Sequence, residues 1–197
     1  EDEGDIFFDL EGFSFFNEPG GIEYLFGYTS ISKGEEFHWT WADSREEERV
    51  AFEKFMHDLL NRITANPGAH IYHYAPYERT RLKAMAQRYR LESPIFDALM
   101  TTHLVDLYPV VMKGIKVGLP SYGLKALEAL YFDPDTRTGI AGGGESVVAF
   151  SDYQLARSQG NLDAARELKE SILHYNRIDC FSTQALRDWL LSVALKA

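Results

Sequence analysis

Residues 6–12, Ile6-Phe7-Phe8-Asp9-Leu10-Glu11-Gly12, set the tightest limit on how this chain folds. A run so rich in aromatic and aliphatic residues reads as a buried strand, whose side chains alternate faces with a period of two. Asp9 and Glu11 then project from one face, where two carboxylates repel each other unless something positive lies between them. Hard Mg2+ or Mn2+ suits such a pair, because these ions prefer carboxylate oxygen. A solvated edge strand is the alternative, in which the acids carry no function; Phe7, Phe8 and Phe13 argue against water on both sides. Near the other end, Tyr175-Asn176-Arg177-Ile178-Asp179 puts a tyrosine four residues before an acid, on one face of a helix. Asp179 lies beside the apolar stripe of Leu168, Ile172, Tyr175 and Leu186, and a buried carboxylate needs a partner. Its other reading is a surface residue paired with Arg177 or Arg187.

At 197 residues the chain has the length of one domain with a sizeable core. The first strand begins at about residue 5, so residues 1–197 read as a domain cut from a longer protein. A single cysteine, Cys180, excludes an internal disulfide and fits a reducing, cytoplasmic setting. No apolar stretch is long enough to cross a membrane, and the acidic opening residues do not read as a signal peptide. The net charge of -10 argues against a tight, stand-alone binder of duplex nucleic acid, which would carry a basic surface.

Three strands open the chain, Asp5 to Phe15, Gly21 to Ser30 and Gly34 to Ala42, with turns at Gly20-Gly21 and Lys33-Gly34. Ser44-Arg45-Glu46-Glu47 is a capping box for a helix whose apolar face runs from Phe52 to Ile63. His70 to Tyr74 reads as a short strand, and Pro76 opens a helix to about Arg90. A strand over His103 to Val111, a short helix over Tyr122 to Leu130 and a mobile loop over 133–144 follow. A helix from about Glu145 and a long one from Asn161 to Leu195 finish the chain. A meander followed by strands alternating with helices predicts an α/β fold.

At Asp9-Leu10-Glu11 and Tyr175-x-x-x-Asp179 the chain resembles the DEDD superfamily of 3'-5' exonucleases, nearest the YprB-type branch with a tyrosine in the third motif. His73-Tyr74-Ala75-Pro76-Tyr77-Glu78 occupies the place of the second motif, with Glu78 standing where that family has Asp. The resemblance covers nearly the whole chain. It implies a ribonuclease H-like three-layer fold, with a mixed sheet, an opening antiparallel meander and helices on both faces. It further implies two Mg2+ or Mn2+ ions held by Asp9, Glu11, Glu78 and Asp179, with Tyr175 orienting the attacking water. The substrate it implies is nucleic acid, with single-stranded DNA favoured and RNA open, and its usual company is a helicase or a second nuclease domain.

For Glu78 the bland reading is a carboxylate stabilised by the dipole of its own helix. His174, five residues before Asp179, has the spacing of the family's histidine branch. On a continuous helix Tyr175 lies about 40° from Asp179 and His174 about 140° away, which favours Tyr175. His73 and Tyr74 are expected at the cleft, although core roles fit them too. Asp106 reads as a structural acid near the site. Arg79, Arg81, Lys83, Arg88 and Arg90 on one helix, and Lys113, Lys116 and Lys125 around a Gly/Pro segment, are candidates for phosphate contact against solvated faces. Two other functions remain open: a nuclease-like module that binds nucleic acid or a partner without cutting, and a hydrolase of small phosphoesters or nucleotides.

Overall fold

The structure, a computed structural model, describes residues 2–16, 19–31, 36–133 and 136–194. The acid-bearing run forms β1 (Ile6–Phe13), the central strand of a five-stranded sheet. β2 (Ile22–Ser30) and β3 (Phe37–Trp41) extend the sheet antiparallel on one side of β1. β4 (Ile71–His73) and β5 (Leu104–Asp106) extend it parallel on the other, giving the order β3-β2-β1-β4-β5. The expected Lys33-Gly34 turn lies outside the described residues. Gly20 and Gly21, both at positive φ, turn β1 into β2, a backbone shape that only glycine adopts without strain.

The period-two alternation of β1 divides the core. Ile6, Phe8 and Leu10 pack against α1 (Arg45–Ala65) and α2 (Pro76–Tyr89) through Phe52, Phe55, Leu59, Leu82 and Met85. Phe7, Asp9 and Glu11 take the opposite face, under α6 (Gly143–Ser158) and α7 (Leu162–Ala194). Helices therefore cover both faces of a mixed sheet, the α/β architecture expected. A bulge interrupts the β1–β2 ladder: Glu11 pairs with Leu25 and Gly12 with Glu23, leaving Tyr24 as the extra residue. Tyr24 and Leu25 both join the cluster under α6 and α7, where Tyr24 stacks on Phe150 at 3.8 Å.

Ser44 caps α1 by accepting from the Glu47 N–H at 3.2 Å, while the Glu47 carboxylate accepts from the Asp43 N–H at 2.7 Å. The box reaches one residue further back than its usual form.

The expected strand over His103 to Val111 is corrected. Only Leu104–Asp106 pairs in the sheet, and Leu107–Gly114 turns into a helix, α4. Asp106 caps it by accepting from the Tyr108 N–H at 2.9 Å. Pro109 falls in its first turn, where no N–H is needed. Ahead of β5, α3 (Pro94–Ala98) runs into one wider turn at Leu99–His103. The short helix after the Gly/Pro segment is α5 (Leu124–Leu127), tightened into a 3₁₀ turn at Glu128–Leu130.

The loop expected over 133–144 is also corrected at its end. Gly142 occupies the N-cap of α6, and Gly143 and Gly144 form its first turn. Pro134 and Asp135 lie outside the described residues.

Candidate active site

β1 and α7 create the site between them. The middle of α7 crosses the face of β1 that carries the acids and brings Asp179 to them. One carboxylate oxygen from each of Asp9, Glu11 and Asp179 lies within 4.8 Å of the others. Glu11 and Asp179 are buried and Asp9 is half-buried. All three line a cavity of about 290 Å³ with Tyr77, Gly143, Val147 and Tyr175. A larger cavity of about 660 Å³, bordered by Phe132, His174, Arg177 and Phe181, holds none of the predicted ligands.

Neutral donors fix two of the acids. Asn176 Nδ2 donates to Asp9 Oδ2 at 2.7 Å. Its amide needs the missing side chain of Gly27, because a Cβ there would collide with Asn176 Oδ1. Ser146, fully buried on α6, donates to Glu11 Oε2 at 2.7 Å and shares a 2.8 Å hydrogen bond with the bulged Tyr24. Arg137 Nη2 donates to Asp179 Oδ1 and also to Glu128 Oε1, while its Nε donates to Glu128 Oε2 at 2.7 Å.

Burial dominates the electrostatics. It pushes the Asp9 carboxyl well above the usual range, and the charges of Asp179, Glu11 and Glu78 push it further. Glu11 rises to about 8, again chiefly through burial, with the Ser146 hydrogen bond opposing. Asp179 is raised by burial against the pull of Arg137 and Lys125. Three carboxylates that resist ionisation in close array are a donor set suited to a hard divalent cation, which removes that resistance.

Of the two residues weighed before Asp179, Tyr175 is the one that faces this cavity. Its hydroxyl accepts from Lys125 Nζ at 2.6 Å, and the ammonium lies 4.2 Å from the ring centroid. Burial and the charges of Asp179, Glu11 and Asp9 push the phenol upward, so it keeps its proton at neutral pH. His174 points elsewhere, sharing a 3.3 Å hydrogen bond with Thr138 and bordering the larger cavity.

Glu78 stands apart from the trio. It is buried at the start of α2, 3.3 Å from His73 Nδ1, yet close enough for its charge to act on Asp9. Burial raises its carboxyl and His73 opposes the rise. Asp106 places this corner by accepting from the N–H of Ala75 and of Tyr108, each at 2.9 Å. Ala75 sits at φ 74, a strained backbone for a residue with a side chain, and that hydrogen bond holds it.

Of the four predicted substrate contacts, His73 and Tyr74 have partners within the fold, and Lys113 and Lys116 lie on the surface. His73 is fully buried beneath α2 and serves Glu78, not the cleft wall. Tyr74 donates its hydroxyl to the Tyr122 carbonyl and packs edge-on against Tyr108. Lys113 and Lys116 are exposed at the end of α4 and just after it, with no ion pair among the described residues. On α2, Arg81 is taken up by Glu23 and Arg88 by Glu48, which makes both structural. Arg177 lies over the Phe181 ring and Arg187 pairs with Asp5, so neither alternative partner of Asp179 is used.

Asn176, Ser146, Glu128 and Arg137 were not anticipated. Asn176 alone carried a signal, standing one residue after Tyr175 on the helix face that meets β1.

No curated protein and no solved structure matches the chain. A family profile, RNase_H_2, described as RNase H superfamily, matches residues 6–191. A central strand bearing two acids, a third acid delivered by the last helix and a match across nearly the full length place this chain in the RNase H superfamily.

Proposed function

We propose that this domain is a metal-dependent 3'-5' exonuclease that removes nucleotides from single-stranded DNA. The observation that carries the reading is the convergence of Asp9, Glu11 and Asp179 in one cavity with Tyr175. Membership of the RNase H superfamily supports nuclease chemistry in general.

Asp9, Glu11 and Asp179 would hold divalent cations, with Glu78 contributing directly or through water. When bound, the ions supply charge stabilisation at the scissile phosphate and a water acidic enough to attack. In the reaction the water oxygen bonds to phosphorus as the P–O3' bond breaks. The water's proton passes to solvent, and the departing O3' takes up another. The products are a nucleoside 5'-monophosphate and a strand one residue shorter with a free 3'-hydroxyl.

Tyr175 acts by position and not as a base, since its phenol holds its proton. With Lys125 donating to the hydroxyl oxygen, the phenolic hydrogen is left to point at the water or at Asp179. Asn176 and Ser146 keep Asp9 and Glu11 in fixed rotamers, so ordering is complete before the substrate arrives.

One observation favours the rival reading of a binding module: Glu78 is held by His73 and stands outside the trio. A 5'-labelled single-stranded DNA oligonucleotide incubated with Mn2+ separates the two, with Asp179→Asn and EDTA as controls. The exonuclease gives a ladder descending from the 3' end that both controls abolish. Intact protein that binds Mn2+ and makes no ladder leaves the binding module.

A further inference from the structure

The proposed chemistry leaves the Arg137 cation without a task. The Arg137 side chain is 14 % exposed, and Glu128 grips two of its nitrogens at once. A bidentate carboxylate of this kind fixes the plane of a guanidinium. Nη1 of Arg137 is buried with no hydrogen-bond partner among the described residues. Buried donors are almost always paired, and an orphan on a guanidinium that holds one of the three acids, Asp179, points to a group that completes it.

Phosphate is the chemistry that fits. The chain carries a net charge of -10, so a phosphodiester enters this cleft only where cations offset the acids. Two do so. Lys125 is tied to the Tyr175 hydroxyl, and Arg137 lies 5.9 Å from the ring centroid of the same tyrosine. Once Asp179 turns to a divalent cation, Arg137 keeps its hold on Glu128. Its Nη1 and Nη2 donors are then free as a fork for two oxygens of one phosphate.

Resting on the nuclease reading above, we propose that Arg137, positioned by Glu128, binds the non-bridging oxygens of the reacting phosphate. Glu128 fixes the guanidinium plane before the substrate arrives, the kind of preorganisation by which donors act on developing charge.

The test measures phosphate binding apart from turnover. Thymidine 5'-monophosphate is titrated calorimetrically into wild-type, Arg137→Gln, Arg137→Lys and Glu128→Gln proteins with Ca2+ present, and Mn2+ is titrated alone. Arg137→Gln is expected to weaken nucleotide binding at least tenfold while Mn2+ binding stays equal or tightens. Its kcat on single-stranded DNA falls at least a hundredfold, in the range of a lost oxyanion donor. Arg137→Lys restores part of the nucleotide affinity and, as the milder change, reports if the glutamine variant does not fold. Glu128→Gln weakens the nucleotide less than Arg137→Gln does.

Unchanged nucleotide affinity in Arg137→Gln overturns the proposal. So does wild-type protein that takes up no nucleotide, or a loss of Mn2+ and nucleotide together, which would make the residue structural. If wild-type protein cuts no DNA while Arg137→Gln still weakens the nucleotide, the exonuclease reading falls and the phosphate site stands.

Discussion

Asp9 is where function and stability oppose each other most directly. It has one neutral donor, Asn176, and feels the charges of three other acids. An asparagine there keeps the acceptor for Asn176 and removes a charge that the folded state disfavours. Asp9→Asn is therefore expected to raise the stability of the metal-free protein at pH 8 by about 1–3 kcal/mol, as relief of a strained functional site does. The same variant should lose all stabilisation by Mn2+. Urea unfolding with and without Mn2+ checks both, and a destabilised Asp9→Asn would sink the account. Lys125→Met tests the other side of the cleft. It removes the donor to the Tyr175 hydroxyl while keeping a long apolar stem. A roughly tenfold fall in kcat is expected, the size of one positioned hydrogen bond, together with a rise in KM because a cation that offsets the acids is lost. Asp9, Glu11, Asp179 and the preference for Tyr175 could be read from the sequence because each rests on a local period. Ser146 and Arg137 could not: their partners lie 135 and 42 residues away, and no spacing records a contact made by folding.

Among the elements, β2 carries the strictest demand. Its Gly27 pairs with Asp9, and the space above it is filled by the Asn176 amide from α7. Gly27→Ala is expected to cost about 1–3 kcal/mol, the range for overpacking a close-packed interior. It should weaken Mn2+ binding too, since displaced Asn176 no longer fixes Asp9. Chemical unfolding and a Mn2+ titration of the same preparation decide it; a variant as stable as the parent would show that α7 yields freely. The elements also show where pattern reading fails. Leu104 to Val111 is a short apolar run, and such a run has the same appearance in a buried strand and in a helix packed on its end. The deciding residue was Asp106, whose side chain caps α4 and so ends the strand. Gly143 and Gly144 misled in the opposite sense. Glycine disfavours a helix by its entropy, yet both lie in the first turn of α6, which places Ser146 against Glu11.

For the molecule as a whole, the buried acids make folding depend on pH in an unusual direction. Most globular proteins lose stability on acidification because paired carboxylates must be protonated. Here the Glu11 carboxyl lies at about 8 against an ordinary 4.5, and Asp9, Asp179 and Glu78 are displaced upward as well. Between those two values the folded chain retains protons that the unfolded chain gives up. The stability these groups contribute is fully present below about 4.5 and is lost as pH rises toward 8. Without metal, the melting temperature should therefore fall from pH 5 to pH 8. Divalent cations reverse the trend, because they bind the ionised carboxylates and lose affinity when protons compete. At a hundred times its dissociation constant, an ion adds about 2.7 kcal/mol of stability. The gap between melting curves recorded in EDTA and in Mn2+ should thus widen steadily with pH, and Glu11→Gln should flatten both trends. A metal-free melting temperature that is level or rising across this window would mean that the acids ionise freely, and the argument for an ion-binding trio would lose its electrostatic basis.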